Sequence, residues 1–387
     1  MERDIVKAPY SQQELWADVS PIFVDDGNSV VAVQYTPEHR EALSYFRAVL
    51  VSGEKSTRVL ELASDMIRLN MADYTAWQLR WLCVEALDNK LEEEYQFTED
   101  IMKTNAKNYQ LWNHRRKIAL KAGPAAAELE LEFSARALDL DEKNYHAWAH
   151  RMAVVEAFGL WEIELLYVEE MIDRDIRNNS AWNQRAFIMK SQLQLSAGIA
   201  DEQTTVMASS PRILGIPPSG ITADLTYVNT SSNMGRVLED TLSRELTYVS
   251  NKIAAAPRNE SCWNYLLGLF TLPGCSPFEL CRWPQVYDTC MAAVTKAPSC
   301  PPALAALAEF YIAAAESAVE VCSQGNTGAF EVDAAKKTVR SAVRHAFYVL
   351  EGLDVADPIR APYWAHRKQR VQMLLSRADL DVDYMQT

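Results

Sequence analysis

The fold is decided by the stretch Lys107-Asn-Tyr-Gln-Leu-Trp-Asn-His-Arg-Arg116 and by its recurrence along the chain. Its Trp112 is followed three positions later by an arginine, and this Trp-x-x-Arg unit occurs four times at intervals of 35, 36 and 34 residues. The four tryptophans are Trp77, Trp112, Trp148 and Trp182. A fifth copy keeps Trp263 without the arginine, and a sixth has Trp364 and Arg367. Such a period is typical of a repeat protein built from one supersecondary unit.

Amphipathic stretches lie between the Trp units. In the segment 161–172, Leu165, Val168 and Ile172 fall on one face of a helix. No segment alternates apolar and polar residues for long enough to indicate a sheet. We therefore expect an all-α protein with two antiparallel helices in each period, stacked as a solenoid in which each pair buries its apolar face against the next.

The Trp and Arg of each unit are interpreted as structural. A tryptophan at a fixed repeat position is expected to fill the space between neighbouring helix pairs. An arginine one turn later is expected to bond helix-end carbonyls or a carboxylate of the next repeat. This interpretation is preferred to a catalytic role for either column.

Three columns just upstream of the Trp differ in character. Four positions before it, an Asn or Asp is expected to cap the helix N-terminus. Five positions before it, the turns carry the residues Ala72, Lys107, Lys143, Arg177 and Arg258. Three positions before it, tyrosines recur as Tyr74, Tyr109 and Tyr145. A row of cations with tyrosine hydroxyls beside it suits a phosphate or diphosphate, but exposed cations paired with acidic neighbours would give the same pattern.

Composition and charge narrow the class of protein. The net charge of −14 gives no global attraction for phosphate backbones, so a nucleic-acid partner is not expected. The seven cysteines are an odd number without C-x-x-C spacing, which favours free thiols in a reducing cytoplasm. The N-terminus has no apolar signal region, and the most apolar segment, 301–322, contains three glutamates, so no secretion and no transmembrane segment are expected.

The spacing of the Trp units also predicts the domain organisation. Trp263 follows Trp182 by 81 residues instead of the usual 34 to 36. We therefore predict a Ser-, Thr-, Gly- and Pro-rich loop insert at about 191–233, either disordered or ordered against a partner. Residues 1–53 are predicted to form an extended arm, and residues 54–387 the helical-repeat solenoid.

The stretch 107–116 and its counterparts Lys143-Asn-Tyr-His-Ala-Trp-Ala-His-Arg151 and Arg177-Asn-Asn-Ser-Ala-Trp-Asn-Gln-Arg185 closely resemble the repeats of one family. That family is the alpha subunits shared by protein farnesyltransferase and protein geranylgeranyltransferase type I. The similarity extends to Trp16-Ala-Asp-Val-Ser-Pro21, Tyr45-Phe-Arg-Ala-Val-Leu50 and Asn259-Glu-Ser-Cys-Trp-Asn-Tyr265. It implies a crescent-shaped, right-handed superhelix of helical hairpins, tetratricopeptide-like, wrapped around a separate beta subunit.

The resemblance also implies an activity. The heterodimer would transfer farnesyl or geranylgeranyl from the isoprenoid diphosphate to a cysteine near the C-terminus of CaaX substrate proteins. The catalytic Zn²⁺ would be held by the beta subunit, and Mg²⁺ would accompany the diphosphate. The beta subunit would also select the isoprenoid. This chain has no His/Cys cluster with the spacing of a zinc site.

Site residues are carried over by position from the family's motif. Lys107 matches the lysine that contacts the diphosphate, and Tyr145 is the best candidate for a hydrogen bond there; these two are the predicted catalytic residues. The predicted substrate-binding residues are Tyr109 beside the isoprenoid, Gln110 at the CaaX carboxylate, and Asn144 and His146 at the diphosphate end, together with Lys143. For Lys143, a surface cation without function remains an equal alternative.

Two other functions stay open on the sequence. One is the alpha subunit of the type II (Rab) geranylgeranyltransferase, although that subunit usually has other residues in place of Lys-Asn-Tyr. The other is a tetratricopeptide-like scaffold that binds proteins. The repeat length fits such a scaffold, but a scaffold does not require Lys, Asn and Tyr at these three positions of the repeat.

Overall fold

A computed structural model describes residues 8–24, 33–87, 91–196, 230–323 and 328–380, with the side chains of 230–234 left out. Within these residues the chain forms fifteen α-helices and no strand, which confirms the predicted all-α class. The helices belong to two compact units, residues 1–159 and 160–387.

The first unit contains seven helices, preceded by short 3-10 turns at Tyr10–Gln12 and Glu14–Trp16. They are α1 (Pro37–Ser52), α2 (Thr57–Leu69), α3 (Tyr74–Leu87), α4 (Leu91–Thr104), α5 (Tyr109–Ala122), α6 (Ala127–Leu140) and α7 (Tyr145–Phe158). Helices α2 and α3, α4 and α5, and α6 and α7 pack as hairpins, so the predicted two helices per period are present.

The second unit contains eight helices. They are α8 (Trp161–Arg174), α9 (Asn179–Ser196), α10 (Thr230–Ala255), α11 (Glu260–Leu269), α12 (Pro284–Lys296), α13 (Pro301–Ser323), α14 (Ala329–Ala356) and α15 (Ala361–Arg377). Helices α8 and α9 and helices α10 and α11 form further hairpins of the same kind. The long helices α13 and α14 pack side by side, with α15, which carries the sixth Trp unit, against α14.

The Trp units tie neighbouring hairpins together through shared carbonyl groups. The Trp112 indole donates to the Ala106 carbonyl at 2.7 Å, and the Asn144 side-chain amide of the next hairpin donates to the same oxygen at 3.0 Å. The Met71 carbonyl is shared in the same way by Trp77 and Asn108. Each shared oxygen fixes the spacing of two consecutive turns, which supports the structural interpretation of the tryptophans.

In three Trp units the arginine forms a buried ion pair with a glutamate of the next hairpin, one of the two kinds of partner that the sequence analysis expected. Arg80 on α3 makes two hydrogen bonds to Glu94 on α4, at 2.8 and 2.7 Å. Arg115 bonds Glu130 at 2.9 Å, and both side chains are fully buried. The same arginines also donate backwards to a Ser or Thr hydroxyl within their own hairpin.

Each buried glutamate also accepts a bond from a residue 20 positions later in its own hairpin. His114 contacts Glu94 at 2.8 Å, and His150 contacts Glu130 at 2.7 Å. In the second unit the equivalent donors are Gln184 to Glu164 and Tyr265 to Glu245, and Glu245 also binds Arg185. We call these contacts the buried ladder; it is a repeating polar seam inside an otherwise apolar core.

The structure corrects the predicted extended arm over residues 1–53, because residues 37–52 form α1. Pro37 occupies the first helical turn, the Thr36 side chain accepts from the His39 N–H, and Gly53 ends the helix with a left-handed φ of 70°. Tyr45 and Phe46 on the inner face of α1 are buried, and α1 packs on α2. This apolar face makes α1 part of the helical stack.

The insert predicted at about 191–233 is helical at both margins. Helix α9 continues to Ser196 with Leu193 buried, and α10 begins at Thr230. The remaining residues of the predicted insert, 197–229, lie outside the described residues.

Candidate functional site

The turns that precede α5 and α7 share one local geometry. Each return helix is followed by an Asx residue whose side-chain oxygen accepts the backbone N–H of the basic residue two positions later. Asn105 accepts from Lys107 at 3.3 Å, and Asp141 accepts from Lys143 at 3.1 Å. The turn thus directs the chain into the cap, and the basic residue lies on the outside.

The capping residues that follow are buried and fully engaged. The Asn108 side-chain oxygen accepts from the N–H groups of Gln110 and Leu111 at 2.8 and 3.0 Å. The Asn144 oxygen accepts from His146 and Ala147, while its amide donates to the preceding hairpin. Asn144 is only 2% exposed, so it supports the neighbouring residues through these bonds.

Immediately after each cap, a tyrosine extends outward. Tyr109 and Tyr145 are 69% and 70% exposed, although most aromatic side chains of the described helices are buried or half-buried. The His146 ring lies between them, with centroid distances of 4.2 Å to Tyr109 and 5.6 Å to Tyr145, both in edge-to-face arrangement. His146 therefore joins the first turns of α5 and α7 into one aromatic surface.

The charge on this surface comes from Lys107. Its Nζ lies 2.9 Å from Oδ2 of Asp141, and the Lys107 side chain is 70% exposed. The hydrogen bond from Lys107, followed by that from the Lys143 backbone N–H, lowers the pKa of Asp141 below its ordinary value. Partial burial, and then the Lys107 charge, lowers the pKa of His146, so its ring is neutral near pH 7.

We call Lys107, Tyr109, Asp141, Tyr145 and His146 the turn surface. It combines an ammonium group paired with a carboxylate, two phenol hydroxyls and a neutral imidazole at the ends of two adjacent hairpins. These groups can bind an anion through charge and hydrogen bonds, and the tyrosine rings can contact an apolar chain next to it.

The remaining predicted site residues occupy the same two turns. Gln110 is half-buried in the first turn of α5, directly after Tyr109. Lys143 is exposed, and its backbone N–H is held by Asp141. The roles predicted for these two residues, and for the others carried over from the resemblance, stay predictions.

Two features were missed on the sequence. Asp141 was not singled out, although it is an acidic residue two positions before a basic one, at the point where a turn had been placed. The glutamates of the buried ladder were also missed. Their signal is the constant separation of 20 residues from His114, His150, Gln184 and Tyr265.

Among the residues that the structure describes, no group of three or more His, Cys, Asp or Glu side chains could hold a metal ion. No helix in the described ranges is long and apolar enough to cross a membrane. The seven cysteines all lie within those ranges and are free thiols.

The repeated hairpins match a known family model. The model, described as protein prenyltransferase alpha subunit repeat, matches residues 56–87, 91–122, 127–158, 161–192 and 242–272. The first three matches coincide with the hairpins α2–α3, α4–α5 and α6–α7 to within one residue. The fourth covers α8 and all but the last four residues of α9, and the fifth covers the C-terminal half of α10 and all of α11. The hairpins therefore belong to the class of prenyltransferase alpha subunit repeats.

Relatives of nearly full length specify the family. Protein farnesyltransferase/geranylgeranyltransferase type-1 subunit alpha of Arabidopsis thaliana is 35% identical over 94% of this chain and 96% of the relative. The subunit of the same name from Pisum sativum is 33% identical, also over 94% of this chain and 96% of the relative. The chain belongs to the family of alpha subunits shared by protein farnesyltransferase and protein geranylgeranyltransferase type I.

A solved structure has the same fold. Candida albicans protein geranylgeranyltransferase-I complexed with GGPP matches with a TM-score of 0.64 and 23% identity, covering 92% of this chain and 98% of that chain. The two near-full-length relatives carry the type-1 name, which favours the type I assignment over the type II subunit and over a scaffold without catalytic role.

Proposed function

We propose that this chain acts as the alpha subunit of a heterodimeric CaaX protein prenyltransferase. With a beta subunit, it transfers farnesyl or geranylgeranyl from the isoprenoid diphosphate to a cysteine near the C-terminus of substrate proteins. The observation that carries this proposal is the near-complete coverage of type-1 alpha subunits at 35% identity. We place the enzyme in the cytoplasm, a reducing compartment that suits seven free thiols.

In this proposal the turn surface binds the diphosphate end of the isoprenoid. As the C1–O bond breaks, negative charge grows on the leaving pyrophosphate, and the Lys107 ammonium stabilises it. The Tyr145 hydroxyl donates a hydrogen bond to the same group. Tyr109, 69% exposed and in contact with His146, borders the isoprenoid chain.

The exposed pair with Asp141 occupies one of the three N–H donors of the Lys107 ammonium, so the diphosphate can bind the other donors without breaking the pair. The phosphate oxygens then add charge-assisted hydrogen bonds to the same ammonium. His146, neutral near pH 7, adds a hydrogen-bonding group to the site without adding charge.

The other carried-over residues have supporting roles. We place the Gln110 amide at the C-terminal carboxylate of the CaaX peptide. Asn144 acts through its cap, which fixes Tyr145 and His146 at the start of α7. Lys143 contributes a second cation near the diphosphate in this proposal, and its backbone N–H is held by Asp141.

The metal ions of the proposed reaction are assigned to the partner and the substrate. Zinc is held by the beta subunit, where it activates the CaaX thiolate. Mg²⁺ accompanies the diphosphate. No residue of the turn surface is assigned to either ion, since its one carboxylate, Asp141, is engaged by Lys107.

The test is to co-express the chain with a beta subunit and to measure prenyl transfer to a CaaX peptide. We expect activity only in the complex. Lys107→Ala is expected to lower kcat by about 10²–10³, the usual effect of removing one donor to a developing anion, without dissociating the heterodimer.

Lys103→Ala is the matched control, because Lys103 is similarly exposed and is likewise paired with an aspartate, Asp100, at 3.0 Å. It should retain full activity. Unchanged turnover in Lys107→Ala would remove Lys107 from the mechanism, and failure to assemble with any beta subunit would favour the scaffold function.

A further inference from the structure

Asp141 occupies a turn position at which two other repeats of the same chain carry asparagine, while a third carries Asp175, which accepts the Arg177 N–H at 2.9 Å. Asn70 accepts the Ala72 N–H at 3.1 Å, and Asn105 accepts the Lys107 N–H at 3.3 Å. Asp141 makes the equivalent bond to the Lys143 N–H at 3.1 Å. The turn bond itself therefore needs only a side-chain oxygen, and the negative charge of Asp141 can serve a second contact.

The charge of Asp141 faces Lys107 of the preceding turn. One carboxylate oxygen, Oδ1, holds the turn, and the other, Oδ2, lies 2.9 Å from Lys107 Nζ. Asp141 therefore links the backbone of one turn to the side chain of the turn before it. Asparagine at this position would keep the hydrogen bond to the Lys143 N–H and lose the ionic contact with Lys107.

Building on the proposed function, we infer that Asp141 is a positioning residue that holds the Lys107 ammonium on the turn surface for the leaving diphosphate. A lysine side chain has four rotatable bonds, so an untethered ammonium samples many positions. Asp141 engages one of its three N–H donors and leaves the other donors for phosphate oxygens. The enzyme thus has its cation in place before charge develops on the leaving group.

The backbone bond to Lys143 makes Asp141 a firm anchor. Its own side chain is held at Oδ1, only partly exposed, and the α6–α7 turn is capped by the buried Asn144 directly after it. The Lys107 side chain, at 70% exposure, has no comparable packing of its own. The carboxylate is therefore the group that restricts the position of the ammonium.

The experiment is prenyl transfer by the heterodimer carrying Asp141→Asn, Lys107→Ala or both. Asp141→Asn is expected to lower kcat about three- to fivefold, with KM for the CaaX peptide unchanged within twofold and the melting temperature unaltered. In the Lys107→Ala background, Asp141→Asn is expected to have no further effect, because no ammonium remains to be positioned.

Asp100→Asn is the control, since it removes an exposed carboxylate that is paired with a lysine away from the turn surface. It should leave kcat unchanged. An increase in kcat on Asp141→Asn would mean that Asp141 competes with the diphosphate, and an equal loss in the Lys107→Ala background would mean a structural effect; either result overturns the inference.

The inference and the proposed function fail separately. If Lys107→Ala is impaired and Asp141→Asn is as active as the wild type, only the positioning role falls. If Lys107→Ala is fully active, the proposed role of Lys107 falls and the positioning role falls with it.

Discussion

Glu130 is a carboxylate with no exposed surface, surrounded by groups that all donate to it. Arg115 bonds both of its oxygens at 2.9 and 3.0 Å, and His150 bonds one of them at 2.7 Å. Charges in an apolar interior are tolerated only when they are paired in this way. The burial of each charged group of the ladder is therefore stabilised by its hydrogen-bonding partners more than by the packing of its own side chain.

Removal of this carboxylate gives the first prediction at the residue scale. Glu130→Ala leaves the fully buried Arg115 unpaired, so the free energy of unfolding should fall by about 3–5 kcal/mol. The measurement is urea unfolding of the purified protein. Glu132→Ala, two positions away on the same helix with a 62% exposed side chain, should change it by less than about 0.5 kcal/mol. Equal midpoints for the two variants would contradict the role of the ladder.

The sequence analysis named every residue of the turn surface except Asp141, and it missed how these residues are arranged. Lys107 and Tyr145 stand in columns defined by a fixed offset from a tryptophan, so a single sequence is sufficient to find them. The contact between Lys107 and Asp141 depends on two turns 34 residues apart being neighbours, which only the packed hairpins bring about. For the same reason, the partners of Arg80 and Arg115 could be named by kind and not by residue.

At the scale of the element, the cap determines where each inner helix begins. The Asn144 side chain satisfies two N–H groups of α7 and one carbonyl of the preceding hairpin. Asp73 makes the same two cap bonds at the start of α3. An aspartate can therefore replace the cap function of asparagine, although it lacks the amide that reaches the neighbouring hairpin.

These bonds predict a graded response. Asn144→Ala should lower the free energy of unfolding by about 1–2 kcal/mol, the usual cost of losing a cap. It should also lower kcat, because Tyr145 and His146 are the first residues after the cap. Asn144→Asp should lower the free energy of unfolding and kcat by less than Asn144→Ala does. Urea unfolding and prenyl-transfer assays on the two variants check this order, and a less stable Asn144→Asp would reverse it.

The start of a helix followed from the sequence wherever a cap and a Trp unit occur together. The N-terminal helix α1 was missed because it has no Trp unit, although Thr36, Pro37 and Gly53 mark its ends. The margins of the insert were misplaced for a related reason. Helix α9 extends past the usual length of its repeat, and only the burial of Leu193 reveals that its last turns are still packed.

At the scale of the whole molecule, the buried ladder has two chemical forms. In the first unit the donors to the glutamates are His114 and His150, whereas in the second unit they are Gln184 and Tyr265. Burial lowers the pKa of both histidines below the ordinary value of 6.5, even though hydrogen bonds to the glutamates oppose the shift. Both rings are therefore neutral in the folded protein near pH 7.

The charged groups around the two rings do not reverse the lowering of the two histidine pKa values. Those facing His114 are Glu94, Arg80 and Lys117, and those facing His150 are Glu130, Arg115 and Arg116. The hydrogen bonds and charges of its partners also hold the pKa of Glu94 below its ordinary value of 4.5 against the opposing effect of burial, so this carboxylate stays ionised while the histidines titrate.

Because only the first unit has histidines in the buried ladder, we predict that the ladder of this unit makes the stability of the protein depend on pH. Below pH 6.5 the unfolded chain binds protons at both histidines and the folded chain does not, so stability is lost as the pH falls from about 7 to 5. The loss is at most about 1.4 kcal/mol per pH unit for each histidine. Urea unfolding at pH 7.5, 6.5 and 5.5 measures it. Replacing His114 and His150 by glutamine, the residue at position 184, should reduce the slope in this range and leave the contribution of His146, whose pKa is also lowered. An unchanged slope in that double variant would show that the loss of stability arises from other groups.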